Sequence, residues 1–201
     1  MIRVRYEDIY KNDDVYSYIP VLRRIRRLTG SDLTDPMLGS DACYDDFQVW
    51  RQKINPRMTF KMRQNKFLVP VHLFKKPTHD FIKETFYQID WNIRPIWILE
   101  VNINDPDYAY SRRVIYVEKE EDSYCLYAGE NYDQKGRFWR SDSHFGYHRD
   151  RKTFVPSVFY GYIFADHLSN HSTLMDITPF PNDPNCTPEV FTIRYLIKMA
   201  R

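Results

Sequence analysis

Glycine is scarce in this sequence, with 6 among 201 residues. So few glycines make a backbone cradle for a nucleotide phosphate hard to build. The chain indeed has no Gly-rich phosphate loop, no nucleophile elbow and no His-Glu-x-x-His pair. Cysteine is rare too. Cys43, Cys125 and Cys186 stand too far apart for a zinc knuckle or a Cys-x-x-Cys redox pair. Their odd number leaves at least one free thiol or an intermolecular bridge. No apolar run approaches the roughly 18 residues of a membrane span. The net charge of +2 is too balanced to suggest a nucleic-acid partner. The opening Met1-Ile2-Arg3-Val4-Arg5-Tyr6 is strand-like and carries no signal-peptide apolar stretch. A cytoplasmic protein, or a chain that begins after its export signal, would both read this way.

What is abundant is aromatic. Tyr and Phe number 16 and 13, and aromatics reach 16% of the chain. Such residues favour pleated, half-buried surfaces, so the composition points to strands. With 43% hydrophobic and 28% charged residues the chain is globular in composition. Its length fits one domain over residues 1–201 with no need of a disulfide or metal.

The patterning agrees. Ile2, Val4 and Tyr6 alternate with charged residues, as in a strand with one face toward a core. Further strands are expected over 15–19, 21–28, 66–74, 113–118 and 124–127. Met58, Phe60 and Met62 alternate with Thr59, Lys61 and Arg63, the cleanest strand signal in the chain. Trp97, Leu99 and Val101 alternate with Ile96, Ile98 and Glu100. Asp133-Gln134-Lys135-Gly136 resembles a hairpin turn into a strand at Arg137 to Arg140. Asp41 is placed to cap a short helix over 42–53, with Asp45 and Asp46 in its first turn. Thr187-Pro188-Glu189 is a good start for a short C-terminal helix, the preferred reading, while Phe191, Ile193, Tyr195 and Ile197 alternate as in a strand. Strand should exceed helix at least about twofold, against a base rate in which helix leads.

Candidate chemistry is thin. His144/His148 and His167/His171 are four apart, a spacing expected to put both rings on one face, but neither pair has an evident third ligand. Hydrogen-bonded or surface histidines are the better reading, and no metal or cofactor is expected. Asp45 and Asp46 point about 100° apart on a helix, so capping and helix-dipole roles outweigh acid–base catalysis. No catalytic residue is assigned. Arg23, Arg24, Arg26 and Arg27 crowd the 21–28 strand; they suit either a solvated face or an anionic headgroup. The longest apolar stretch, 155–168, puts Val158, Tyr160, Tyr162 and Phe164 on one face and Phe159, Ile163 and Ala165 on the other. A strand apolar on both faces is either sandwiched or lines a cavity. The tyrosine-bearing set, with Trp97, Arg23 and Arg26, forms the candidate ligand-binding site. A cavity-lining Tyr162 would tolerate truncation to Ala with little loss of stability.

Several segments, taken in order, resemble a known family. They are Tyr18-Ile19-Pro20 with Leu22 to Leu28; Gly39-Ser40-Asp41 with Tyr44-Asp45-Asp46-Phe47; Arg113-Val114-Ile115-Tyr116; and Asn131 to Arg140. The set resembles the domain of unknown function 1329, a Gram-negative envelope family related to the outer-membrane lipoprotein-sorting proteins. The resemblance implies a LolA/LolB-like, mainly β (α+β) fold: a strongly curved antiparallel sheet, an unclosed half-barrel with short helices at its mouth. It also implies a periplasmic location and an N-terminal portion that relatives carry and this chain lacks. The expected function is a carrier or receptor for a lipid, lipoprotein or other hydrophobic ligand. The alternatives are a non-catalytic module docking to an envelope transport complex and, third, a metal-dependent hydrolase using the histidine pairs.

Overall fold

The computed structural model describes residues 1–19, 22–37, 39–47, 50, 53–70, 91–119, 126–146, 159–176 and 183–199. It is mainly β. A small antiparallel sheet pairs β1 (Ile2–Val4), β2 (Asp14–Ile19) and β3 (Arg24–Leu28), in the order β1-β2-β3. A large sheet follows as an antiparallel meander: β4 (Met58–Pro70), β5 (Trp91–Ile103), β6 (Tyr110–Glu118), β7 (Leu126–Asp133), β8 (Phe138–Gly146), β9 (Phe159–Asp166) and β10 (His171–Asp176). Its order is simply the chain order, and β4 and β10 do not meet, so the half-barrel is unclosed. Among the described residues, helix is limited to 3-10 turns at Gly30–Thr34 and Pro188–Phe191 and one α-helix, α1 (Ile193–Met199).

Two hairpins show why the meander turns where it does. Gly136 has φ 75°, a left-handed geometry that a side chain resists, and its N–H donates to the Asp133 carbonyl at 2.9 Å. Asp133 then accepts the N–H groups of Lys135 and Arg137, each at 2.9 Å, closing the β7–β8 turn. Asn170, at φ 54°, does the same work between β9 and β10. There Asp166 accepts the N–H groups of Leu168 and Ser169.

Cross-strand register sorts the large sheet into two faces. Val101, Arg113, Asn131 and Arg140 lie in successive register on one of them, and Asp142, Phe164 and Thr173 lie in register on the same face two residues along. The described residues of 37–50 cover this face like a plug. Ala42 clusters with Tyr162 and Phe164, and Phe47 packs against the same cluster. Trp50 packs on Met58, Val101, Ile103, Tyr110 and Ile115. On its other side the plug meets the small sheet: Tyr44 joins Val15, Leu28 and Leu33, and its hydroxyl donates to Ser17 Oγ at 3.1 Å. Ile96, Ile98 and Val114 form a further cluster on the opposite face. Both parities of β5 are therefore buried, at different heights.

Several expectations change. The described residues of 42–53 form no helix; 44–47 are turn. Arg23 lies outside β3, in the turn before it, at φ 48°. Of the strand expected at 66–74, residues 66–70 are the end of the long β4 and 71–74 lie outside the described residues. Phe60 and Met62 alternate as a strand should, yet they are 42% and 64% exposed. Tyr162 and Phe164 share a face as expected and stack with centroids 5.9 Å apart. Both are buried, so truncating either belongs with core truncations, which cost roughly 3–5 kcal/mol. A tolerant Tyr162 does not follow from this packing.

Candidate functional site: a lined cavity above a sealed polar network

The plug is held by charge. Gly39, at φ 79°, makes the tight turn in which Ser40 N–H donates to the Met37 carbonyl at 2.9 Å. That turn delivers Asp41 to β10. Its N–H donates to Thr173 Oγ1 at 2.9 Å, and its carboxylate meets Thr173 Oγ1 at 2.8 Å and His171 Nδ1 at 2.7 Å. Asp46 reaches the middle of the sheet. It accepts Arg113 Nη2 at 2.9 Å, the Tyr110 hydroxyl at 2.7 Å and the Cys43 thiol at 2.6 Å. Arg113 in turn donates to Asn131 Oδ1 at 2.7 Å and to the Asp45 carbonyl at 3.3 Å. Asn131 continues to Asp142, and Asp142 to His144 at 3.2 Å. Asp45 accepts the Tyr108 hydroxyl at 2.8 Å and Arg3 Nη1 at 3.3 Å. Arg140 ties the Thr34 carbonyl to Tyr110.

Asp45 and Asp46 are thus neither caps nor dipole partners. They fasten the plug to the sheet. Arg113 is wholly buried. Burial alone would lower its pKa, but Asp46, with Tyr108 and Asp142, outweighs that and holds the guanidinium charged. Burial pushes the Cys43 thiol well up, helped by Asp46, so this is not an activated nucleophile. Burial also raises Tyr108 and Tyr110. The middle of the network is buried, and Asp46 meets three donors there.

Asp45 gives the network a pH signature. Burial raises its pKa above the usual aspartate value, with Arg3 and Tyr108 opposing. A carboxyl raised on folding contributes stability that is complete below its unfolded pKa and is lost as pH rises through the folded one. Asp45→Asn cannot titrate. Relative to the parent, that variant should therefore gain stability as pH is raised from about 3 to 7. Urea melts at both pH values measure this, and an unchanged difference would count against a raised Asp45.

Beside the plug lies a cavity of about 820 Å³. Ser17, Ile19, Arg26 and Leu28 wall it from the small sheet, Met37, Tyr44 and Phe47 from the plug, and Tyr162 and Met175 from β9 and β10. The lining is mostly apolar, with polarity gathered where Arg26 meets Asp32 at 3.5 Å. A smaller cleft of about 430 Å³ is charged, with Arg3, Asp13, Asp45, Lys53 and Arg57 around it.

Of the candidate site residues, Tyr162 and Arg26 line the large cavity. Phe164 sits behind Tyr162, against Phe47 with centroids 5.5 Å apart. Trp97 is on β5, under Lys119 Nζ at 5.0 Å, away from this lining. Arg23 is in the turn before β3. Val158 and the side chain of Tyr160 lie outside the described residues, as do His148 and Cys125. His167 and His171 straddle the β9–β10 turn and do not share a face. The first meets Ser141 Oγ at 2.8 Å, the second Asp41. His144 is buried between Asp142 and Tyr162. Among the described residues no three His, Cys, Asp or Glu side chains are placed to hold a metal.

Sequence reasoning missed Met37, Phe47 and Met175 as wall residues, and Asp41, Asp46, Arg113 and Arg140 as anchors. The anchors were nonetheless marked. They fall in three separate segments, around 39–47, 113–116 and 131–140, and the fold brings all three to one face.

Residues 1–184 match the family described as protein of unknown function (DUF1329). The chain belongs to that family. Among solved structures, it is similar to a DUF1329 family protein from Desulfovibrio piger, at 16% identity and a TM-score of 0.64, covering 95% of this chain and 68% of that one. It is also similar to a domain from Vibrio parahaemolyticus assigned provisionally to outer membrane lipoprotein sorting, at 20% identity and a TM-score of 0.61, covering 92% of this chain and 66% of that one. These likenesses establish a shared fold. The chain spans about two thirds of the length of either structure. No curated protein matches it.

Proposed function

We propose that this DUF1329 protein is a non-enzymatic carrier or receptor of the bacterial envelope, acting in the periplasm, that takes a lipid, a lipoprotein acyl chain or another hydrophobic molecule into the cavity between plug and small sheet. The observation that carries this reading is the cavity itself. Its volume of about 820 Å³ lies within the roughly 300–1,000 Å³ typical of ligand pockets, and its lining joins apolar walls to a few polar groups. The buried network beneath it supports a binding role, since its charged groups hold the plug in place. The fold shared with the Vibrio domain supports the same class of ligand. Protein purified without detergent should yield one hydrophobic compound per chain on extraction into organic solvent and mass spectrometry. Extracts with no enriched compound would count against it.

Arg26 is the proposed headgroup contact. It is more than half exposed at its side chain, it lines the cavity, and Arg24 precedes it on the same face of β3. Arg26→Glu should weaken binding of anionic lipids more than of neutral ones, by about tenfold against little change. Titration with phosphatidylglycerol and phosphatidylcholine analogues separates the two. Equal losses would leave Arg26 a partner of Asp32 only.

A docking role in an envelope transport complex is the second reading. It is favoured by the polar network, which fills much of the plug face and leaves the cavity to one side.

A further inference from the structure

The plug is tied down at three places, and the ties differ in depth. Asp46 meets Arg113 where both side chains are buried, and Asp45 meets Arg3 nearly as deep. The third tie, from Asp41 to His171 and Thr173 on β10, reaches the surface, where the His171 side chain is 63% exposed. Polar pairs open to water break at small cost, whereas a buried charge pair is held by the penalty of stranding either partner.

What the surface tie holds is a small loop closed on itself. Met37 N–H donates to the Ala42 carbonyl at 2.8 Å. Ser40 Oγ donates to the Met37 carbonyl at 2.7 Å and accepts the Ala42 N–H at 3.2 Å. Such a loop can move as one body once Asp41 lets go. Its other anchorage is slight: the Ala42 methyl and the partly buried Met37 on the Tyr162 and Phe164 cluster. Movement is bounded on both sides, by Thr34, whose carbonyl accepts Arg140, and by the buried Asp46. The loop carries Met37 and Ser40 on the cavity wall. The strand that fastens it supplies the wall beside them. His171, Thr173 and Met175 share one face of β10, and Met175 lines the cavity.

We propose that Asp41, His171 and Thr173 form a latch, whose release lifts the Met37–Ala42 loop from β10 and widens the cavity while the Asp46–Arg113 pair keeps the rest of the plug seated. They are positioning residues. That the latch governs the passage of a ligand rests on the carrier reading; the opening of the loop does not.

The test uses a thiol already in place. Cys43, two residues after Asp41, is buried with its thiol on Asp46 at 2.6 Å, so it should react with N-ethylmaleimide only when the loop lifts. Cys186 is exposed and reacts first, so peptide mass spectrometry assigns the label to Cys43. The loosened variant is His171→Ala with Thr173→Val. The control is Lys53→Met, which cuts a tie away from this cavity, to the carbonyls of Tyr6 and Lys11. The two are compared at urea concentrations that give them equal global stability. Cys43 in the latch variant should label at least about tenfold faster than in the control. A fluorescent fatty-acid analogue, followed by stopped flow, should enter and leave the latch variant faster by a similar factor, with its Kd nearly unchanged. The proposal is overturned if Cys43 labels no faster than in the control. It is equally overturned if Cys43 labels faster while the analogue enters and leaves at the parent's rates. A parent that takes up no analogue contradicts the carrier reading, and the thiol measurement then decides the latch by itself.

Discussion

Replacing Asp46 with alanine is expected to remove about 3–5 kcal/mol of stability, because it leaves the Arg113 guanidinium buried without its carboxylate. Arg113 is fully buried, and Asn131 and the Asp45 carbonyl cannot neutralise it. The Tyr110 hydroxyl and the Cys43 thiol lose their acceptor in the same step. For a chain of this size, the loss corresponds to a fall of roughly 6–20 °C in melting temperature. A pair of apolar replacements, Asp46→Leu with Arg113→Met, should recover much of it, since removing both charges leaves none stranded. Thermal denaturation followed by circular dichroism checks both. A melting temperature for Asp46→Ala within about 2 °C of the parent would mean that the plug is not held by this pair.

The strands were largely legible in the sequence, and the plug was not. Alternation at 96–101 and the Asp133 to Gly136 turn are local signals, and β5 and the β7–β8 hairpin follow from them. The Thr187-Pro188 start likewise leads to the turn at Pro188–Phe191 and α1. Asp45 and Asp46 misled because adjacent carboxylates after a capping residue look like a helix start. What overrides that local preference is long-range: Arg113 and Tyr110, more than sixty residues away, need those carboxylates. The apolar stretch 155–168 reads as one strand and no signal marks β10 after it, so the turn that separates His167 from His171 does not show in the sequence. Alternation also says nothing about what covers a face. Met58 is core, while Phe60 and Met62, on the same face of the same strand, stand exposed.

The cavity walls were hardest to see in advance. Tyr162 and Arg26 come from strands that never pair, and Met37 and Phe47 come from a plug that alternation does not reveal. Only the family resemblance suggested that such segments meet at the mouth of a half-barrel.

The central claim is that this cavity takes up a hydrophobic ligand, and filling it is the most direct way to ask. Met37 lies on its wall and is partly exposed to it, so a tryptophan there can occupy the void instead of overpacking a filled core. Met37→Trp should melt within a few degrees of the parent. Its binding of a fluorescent fatty-acid analogue should fall at least about tenfold. A parent that saturates with about one equivalent of the analogue, and a Met37→Trp variant that does not, is the result the account predicts. A parent that takes up no analogue, or a variant that binds it as the parent does, would contradict the carrier reading.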